Sequence, residues 1–229
     1  MLPSVRYTYD YVSAWLPGGT ERILEIGCGS GELAAALAAD GFQVIAIDSD
    51  PECAAQARSR GVDARLMIWP GPLNGRFDAI LFTRSLHHVD DLAGSVAAAA
   101  EALNPGGRII VEDFRAEGGS ERSARWFEEL VRELDASGGL SSGTTVAALL
   151  DKAAPSSSHD HHLHSSSEIR RALGSLGEPT EADSAYYFRY LEPHLTKDEA
   201  ERILRLELAL IADNSIDPLG KRFVAPARM

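Results

Sequence analysis

Cysteine is almost missing from these 229 residues, which hold only Cys28 and Cys53. Cys28 stands between two glycines of a tight turn, so a disulfide framework is not what organises the chain, and a reducing compartment fits. No apolar run reaches the ~20 residues that span a bilayer. The opening stretch Met1-Leu2-Pro3-Ser4-Val5-Arg6-Tyr7 lacks the apolar core of a signal peptide. The expectation is a soluble cytoplasmic protein. Positive charge is also scarce: 22 Lys and Arg against 34 Asp and Glu give a formal charge of −12. Such a surface repels phosphate backbones, and the adjacent basic pairs Arg170-Arg171 and Lys221-Arg222 make no patch, so nucleic acid is not the expected partner. The length suits one domain, residues 1–229, with a lid.

What is present is organised around Ile23-Leu24-Glu25-Ile26-Gly27-Cys28-Gly29-Ser30-Gly31-Glu32. A short apolar strand runs into three glycines at alternate positions, and an alanine-rich helix, Leu33 to Ala39, follows. Glycine serves where φ is positive or where a ligand approaches bare backbone. The helix start turns free N–H groups toward whatever binds there. A dinucleotide fingerprint places a glycine or alanine where Glu32 stands. Glu25 would repel a pyrophosphate but suits a cation. For the glycines alone, a tight turn with no ligand is the alternative. The pattern E-x-G-x-G-x-G closely resembles the first motif of the class I S-adenosylmethionine-dependent methyltransferases. The resemblance implies S-adenosyl-L-methionine as cofactor, with Glu25, Gly27, Gly29 and Gly31 along it. It also implies a Rossmann-like α/β fold: a seven-stranded, mostly parallel sheet, helices on both faces, the last strand antiparallel.

The next strand, Phe42 to Asp48, ends on an acid about 20 residues after the glycines, where a ribose-binding carboxylate belongs. Ser49 is placed with it at the cofactor. Asp50-Pro51 opens the following helix as cap and first turn. The third strand, Ala64 to Ile68, carries no acid for an adenine amine. Backbone and the apolar faces of Met67, Ile68 and Trp69 are left for that contact, and a core role for them is equally open. Phe77 to Thr83 and the segment Arg84-Ser85-Leu86-His87-His88-Val89 resemble the methyltransferase stretch that lines cofactor and substrate, which implies Thr83 and His88 near the cofactor. The absence of Asn/Asp-Pro-Pro-Tyr there argues against nucleic-acid bases or protein glutamine as acceptors. His87 and His88 read equally as structural. A helix from Leu92 to Leu103, a turn at Asn104-Pro105-Gly106-Gly107 and a strand Arg108 to Val111 ending on Glu112 and Asp113 complete the alternation. Parallel connections follow, with ligands beyond the carboxyl ends of the strands.

Residues 1–19 read as an N-terminal cap, Tyr7 and Tyr11 sharing one helical face toward a substrate pocket, with packing on the sheet as the plain alternative. Residues 114–166 read as a helical lid over the pocket, or as a structural extension or dimer surface; Trp126, on its helix Ser123 to Ala136, joins Tyr7 and Tyr11 as an expected aromatic lining of the substrate pocket. The cluster His159, His161, His162 and His164 lacks a distant metal partner, and no metal is expected. Ser165 and Glu168 make a capping box for the next helix, Ile169 to Leu176. If that helix starts at the carboxyl edge, it brings His161, His162 and His164 toward Glu112 and Asp113, with His161 at the substrate and His164 paired with a carboxylate as general base, a solvated structural loop being the alternative for each. A strand Ala185 to Tyr190, a helix from Thr196 to about Ala212 and a last strand Lys221 to Ala225 finish the chain. The expected activity is methyl transfer to a small aromatic or heteroaromatic acceptor, indole-type C- or N-methylation in secondary metabolism being one case. A cofactor-binding protein without transfer, or an NAD(P)-dependent dehydrogenase, are the alternatives.

Overall fold

The computed structural model describes residues 1–116, 118–141, 143–153 and 163–227. Its centre is a seven-stranded sheet: β1 (Arg22–Ile26), β2 (Gln43–Asp48), β3 (Asp63–Leu66), β4 (Phe77–Thr83), β5 (Leu103–Phe114), β6 (Thr180–Ser184) and β7 (Gly220–Pro226). The order across the sheet is β3-β2-β1-β4-β5-β7-β6. Strands β3 to β5 pair in parallel along that order, and β7 runs antiparallel to both β5 and β6. The expected doubly wound sheet with one reversed strand is what forms. Both faces of β1 and β4 are buried, which is why they read as unbroken apolar runs.

Helices α1 (Pro3–Trp15), α2 (Glu32–Ala39) and α3 (Pro51–Ser59) cover one face; Val12, Leu33, Leu37 and Ala57 pack there with Ile23, Val44 and Leu81. Helices α4 (Leu92–Ala102) and α7 (Ser166–Gly174) cover the other, where Val96, Ile169 and Leu173 meet Leu24, Ile80, Phe82 and Ile109. Caps set several starts. Asp50 accepts from Glu52 and Cys53 N–H at 2.7 and 3.0 Å, and Ser165 with Glu168 forms the predicted capping box.

A third core stands at the carboxyl edge of the sheet on the β5-β7-β6 side. It joins α5 (Glu121–Ala136), α6 (Val146–Ala153), the short α8 (Phe188–Leu191) and α9 (Lys197–Ala212) through Phe127, Val131, Leu149, Tyr187 and Ile203. One expectation fails here: Ala185 to Tyr190 is not a strand. The preceding residues Thr180–Ser184 take the edge position instead. The buried carboxylate of Glu207, reaching in from α9, accepts the N–H groups of Tyr186, Tyr187 and Phe188 at 2.6–3.0 Å. Three converging N–H donors suit a helical turn and not an extended ladder. Among the described residues no helix is long and apolar enough to cross a membrane.

Candidate active site

The strand ends place one cleft of about 560 Å³ above β1, β2 and β4, lined in part by Gly27, Gly29, Asp48, Ser49, Arg84 and His88. All three motif glycines have positive φ, at 72°, 54° and 79°. They serve different ends. A Cβ on Gly27 would fall 2.4 Å from Ser85 Cβ, and one on Gly31 would fall 2.5 Å from Ala57 Cβ, so both are demanded by packing. A Cβ on Gly29 would meet nothing within 4 Å. Gly29 alone of the three is bare toward open space, where a ligand approaches.

Asp48 closes the β2 side. Its Oδ2 accepts the Gly29 N–H at 2.8 Å and its Oδ1 the Asp50 N–H at 2.9 Å, which fixes the carboxylate at the cleft while leaving lone pairs on both oxygens. Met67, Ile68 and Trp69 line the same end, and Ile68 is 74 % exposed. An apolar residue so exposed beside a cleft suits a flat ring.

Glu25, on β1 two residues before Gly27, is 1 % exposed and is not among the residues that line the cleft. The Thr83 hydroxyl donates to its Oε1 at 3.0 Å, while Oε2 is buried with no hydrogen-bond partner. Burial pushes this carboxyl up to about 7, against the Thr83 bond and the Arg84 charge. Thr83 thus acts through Glu25 and does not line the cleft.

The expected catalytic groups are rearranged. Glu112 is buried under Arg84, Arg189 and Arg222 at 3.2, 2.6 and 2.6 Å, and Thr8 donates to it at 2.6 Å. Although burial opposes it, the Arg189, Arg222 and Arg84 charges bring its carboxyl down to about 2. A carboxylate so stabilised is a poor proton acceptor, so Glu112 is an electrostatic anchor and not a base. Asp113 does meet a histidine, but it is His87: Asp113 Oδ1 lies 2.6 Å from His87 Nδ1, close yet off the line of a straight hydrogen bond. His164 is held elsewhere. Its Nε2 lies 2.8 Å from Val89 O and its N–H donates to His87 O at 3.0 Å, so it braces the loop after β4. His161 lies outside the described residues.

Tyr7 and Tyr11 share a face as expected, but that face lies on the sheet. The Tyr11 hydroxyl donates to Phe223 O at 3.0 Å, the Ala185 N–H donates to the Tyr7 hydroxyl at 3.2 Å, and the Arg222 guanidinium covers both rings at 4.0 and 4.4 Å. Trp126 packs edge-on against Tyr187 in the third core. None of the three lines the cleft. Arg84, Ser85 and Val89, from the segment expected to line cofactor and substrate, do, and so does Asp90, which follows it and which the sequence does not single out. Their place immediately after a central strand was the available signal.

Comparison with known proteins gives the family and the fold. A family model described as a methyltransferase domain matches residues 7–177. The ubiquinone biosynthesis O-methyltransferase of Xylella fastidiosa (strain 9a5c) is 38 % identical over 115 residues, covering 44 % of this chain and 45 % of its own. That of Xanthomonas oryzae pv. oryzae (strain PXO99A) is 35 % identical over 111 residues, covering 44 % and 46 %. The matches thus span less than half the length of these curated relatives. Among solved structures, a chain of the complex between the Haloferax volcanii Trm112 methyltransferase activator and a methyltransferase aligns over 99 % of this chain and 91 % of its own, with TM-score 0.59 and 15 % identity. The plantazolicin methyltransferase BpumL, solved with a triazolic desmethylPZN analog and SAH, aligns over 99 % and 84 %, with TM-score 0.56 and 13 % identity. Both are likenesses of fold.

Proposed function

The chain belongs to the methyltransferase-domain family, and from that premise we propose that it transfers the methyl group of S-adenosylmethionine to a small-molecule acceptor. The observation that carries this is the open backbone of Gly29 at the cleft, with the Asp48 carboxylate fixed beside it by the Gly29 and Asp50 N–H groups. Glu25, buried on β1 two residues before Gly27, would set a negative charge near the cationic amino acid end of the cofactor. Asp48 would take the ribose hydroxyls, with Ser49 beside it, and Met67, Ile68 and Trp69 the adenine faces. The residues present fit the cofactor. When bound, it supplies an electrophilic methyl carbon on a sulfonium.

The chain's own residues would then hold the acceptor in line and keep water out, which in favourable cases is worth about 7–11 kcal/mol. The helices of the third core rise at the carboxyl edge, where a lid belongs. For the proton, His88 replaces His164 in the proposal. His88 lines the cleft, its ring centroid is 3.9 Å from that of His87, and His87 leans on Asp113. A base so placed is worth about 10²–10⁴-fold for a hydroxyl acceptor. The curated relatives are named as O-methyltransferases, which favours an aromatic hydroxyl over the indole-type carbon or nitrogen first expected.

Calorimetric titration with S-adenosylmethionine, S-adenosylhomocysteine and NADH tests the cofactor, and formation of S-adenosylhomocysteine with a panel of phenols tests transfer. Micromolar binding of the two sulfur compounds, lost in Asp48→Ala, is expected. Binding of NADH alone would overturn the reading.

A further inference from the structure

Arg84 is held in a way that a surface arginine is not. Its backbone is left-handed, with φ +63°, and its N–H donates to Glu112 O at 2.6 Å. Non-glycine residues hold such a conformation only where the surroundings fix it. From there Nη1 reaches inward to Glu112 Oε1 at 3.2 Å and Thr8 Oγ1 at 3.4 Å. Its Nε and Nη2 make no hydrogen bond among the described residues, and 36 % of the side chain is exposed along the cleft. The inner edge of the guanidinium is anchored, and the outer edge, with its two-donor fork, is left over.

The charge behind it is unbalanced. Glu112 faces Arg84, Arg189 and Arg222, one negative charge against three positive. Arg189 has a buried Nε without a hydrogen-bond partner, and its guanidinium lies among the rings of Tyr7, Tyr186 and Phe188. Glu207 offsets part of the Arg189 charge and Glu25 part of the Arg84 charge from further off, but among the described residues Glu112 is the carboxylate in contact with all three guanidiniums. Along the cleft the sign is reversed: Asp48 and Asp90 line it, and among the described residues Arg84 is its only Lys or Arg. The cleft is acidic at the end of β2, with Asp48, and carries its cationic end at Arg84 directly after β4, with Asp90 further along the same segment. With ribose at Asp48, the cationic end falls where the acceptor enters.

We propose that Arg84 is the anion receptor of the acceptor site, and that the acceptor carries a carboxylate which the Nε and Nη2 fork binds in bidentate fashion. Planar two-point pairing is what a guanidinium offers a carboxylate. The methyltransferase reading is needed only to say that this anion belongs to the acceptor.

The test titrates 4-hydroxybenzoate and its methyl ester into protein loaded with S-adenosylhomocysteine, using wild type, Arg84→Gln and Arg84→Lys, with thermal melts to show that the variants fold. The acid is expected to bind wild type about ten- to a hundredfold more tightly than the ester, as a charge-assisted pair would give. Arg84→Gln should erase that preference and Arg84→Lys keep part of it. Failure of the acid to bind at millimolar concentration, equal binding of acid and ester, or a preference undiminished in Arg84→Gln would overturn the proposal. So would weaker binding of S-adenosylhomocysteine but not of methylthioadenosine to Arg84→Gln, since the arginine would then read the cofactor's own carboxylate. Wild type that fails to bind S-adenosylhomocysteine would sink the methyltransferase reading instead. The same acid–ester comparison without it still decides the anion site.

Discussion

Asp113 Oδ1 stands 2.6 Å from His87 Nδ1, with both side chains almost wholly buried. The pair is one layer behind the cleft, and the His88 ring lies between it and the open space. In the proposed reaction the neighbouring histidines have different work: His88, which lines the cleft, would meet the acceptor, and His87 would position it. His88→Ala is expected to lower kcat by about 10²-fold or more with affinity for S-adenosylhomocysteine unchanged. Asp113→Asn acts through His87, so it should shift the pH profile of kcat and leave KM nearly alone. An unchanged profile in Asp113→Asn together with full activity in His88→Ala would remove both from the mechanism. His164→Ala should cost stability and little kcat, because its bonds go to Val89 O and His87 O.

Glu112 is the keystone of the arginine cluster. Glu112→Gln keeps the shape but leaves three guanidiniums facing a neutral amide, and breaking one side of a buried ion pair costs about 3–5 kcal/mol. Urea denaturation should show that loss. The folded carboxyl titrates near 2, below the usual carboxylate range, so its contribution is fully present above that range. It is lost as pH falls from there through about 2, which places part of the acid unfolding of this protein on one residue. A stability of Glu112→Gln equal to wild type at neutral pH would contradict this.

The glycine turn separates folding from binding. Gly27→Ala puts a Cβ 2.4 Å from Ser85 Cβ, with positive φ besides, and should destabilise by about 2–4 kcal/mol. Gly29→Ala meets no neighbour, so it should cost only the ~1–2 kcal/mol of the left-handed backbone. Yet it should weaken S-adenosylhomocysteine by tenfold or more, because its methyl group occupies the ligand's approach. Melting curves and calorimetry on the two variants make the comparison. Equal binding losses would mean that Gly29 is structural as well.

Much of this was legible from pattern alone. Strands β1, β2 and β4 are short apolar runs ended by glycines or acids, and their alternation with helices leaves little freedom in topology. The carboxyl-edge rule puts Gly27, Gly29 and Asp48 at the cleft, where they lie, but also Thr83, Glu112 and Asp113, which do not line it; His88 follows from the family resemblance and not from the rule. What failed depended on contacts far apart in sequence. Ala185 to Tyr190 carries strand-forming aromatics, but Glu207, about 20 residues on, gathers its N–H groups into a turn. Tyr7 and Tyr11 have the right helical spacing, but which way the face points is set by Arg222 at the other end of the chain. The choice between His164 and His87 as the partner of Asp113 likewise rested on a loop path that spacing does not encode.

Glu25 gives the site a proton to release. In the free fold its carboxyl sits near 7, raised by burial, so at pH 6.5 it is mostly protonated. Because the folded value lies above the unfolded one, stability declines as pH rises from the usual carboxylate range to about 7 and is level beyond. A cation bound near Glu25 favours the ionised form and draws the value down, so on the proposed reading binding expels the proton. Calorimetry of S-adenosylhomocysteine at pH 6.5 in phosphate and in Tris should therefore give enthalpies that differ by most of one buffer ionisation. The difference should fade by pH 8.5, and affinity should rise with pH up to about 7. Glu25→Gln should bind more weakly and show no buffer dependence. If the wild-type enthalpy is the same in both buffers, the ammonium of the ligand does not meet this carboxylate, and the orphan oxygen needs another partner.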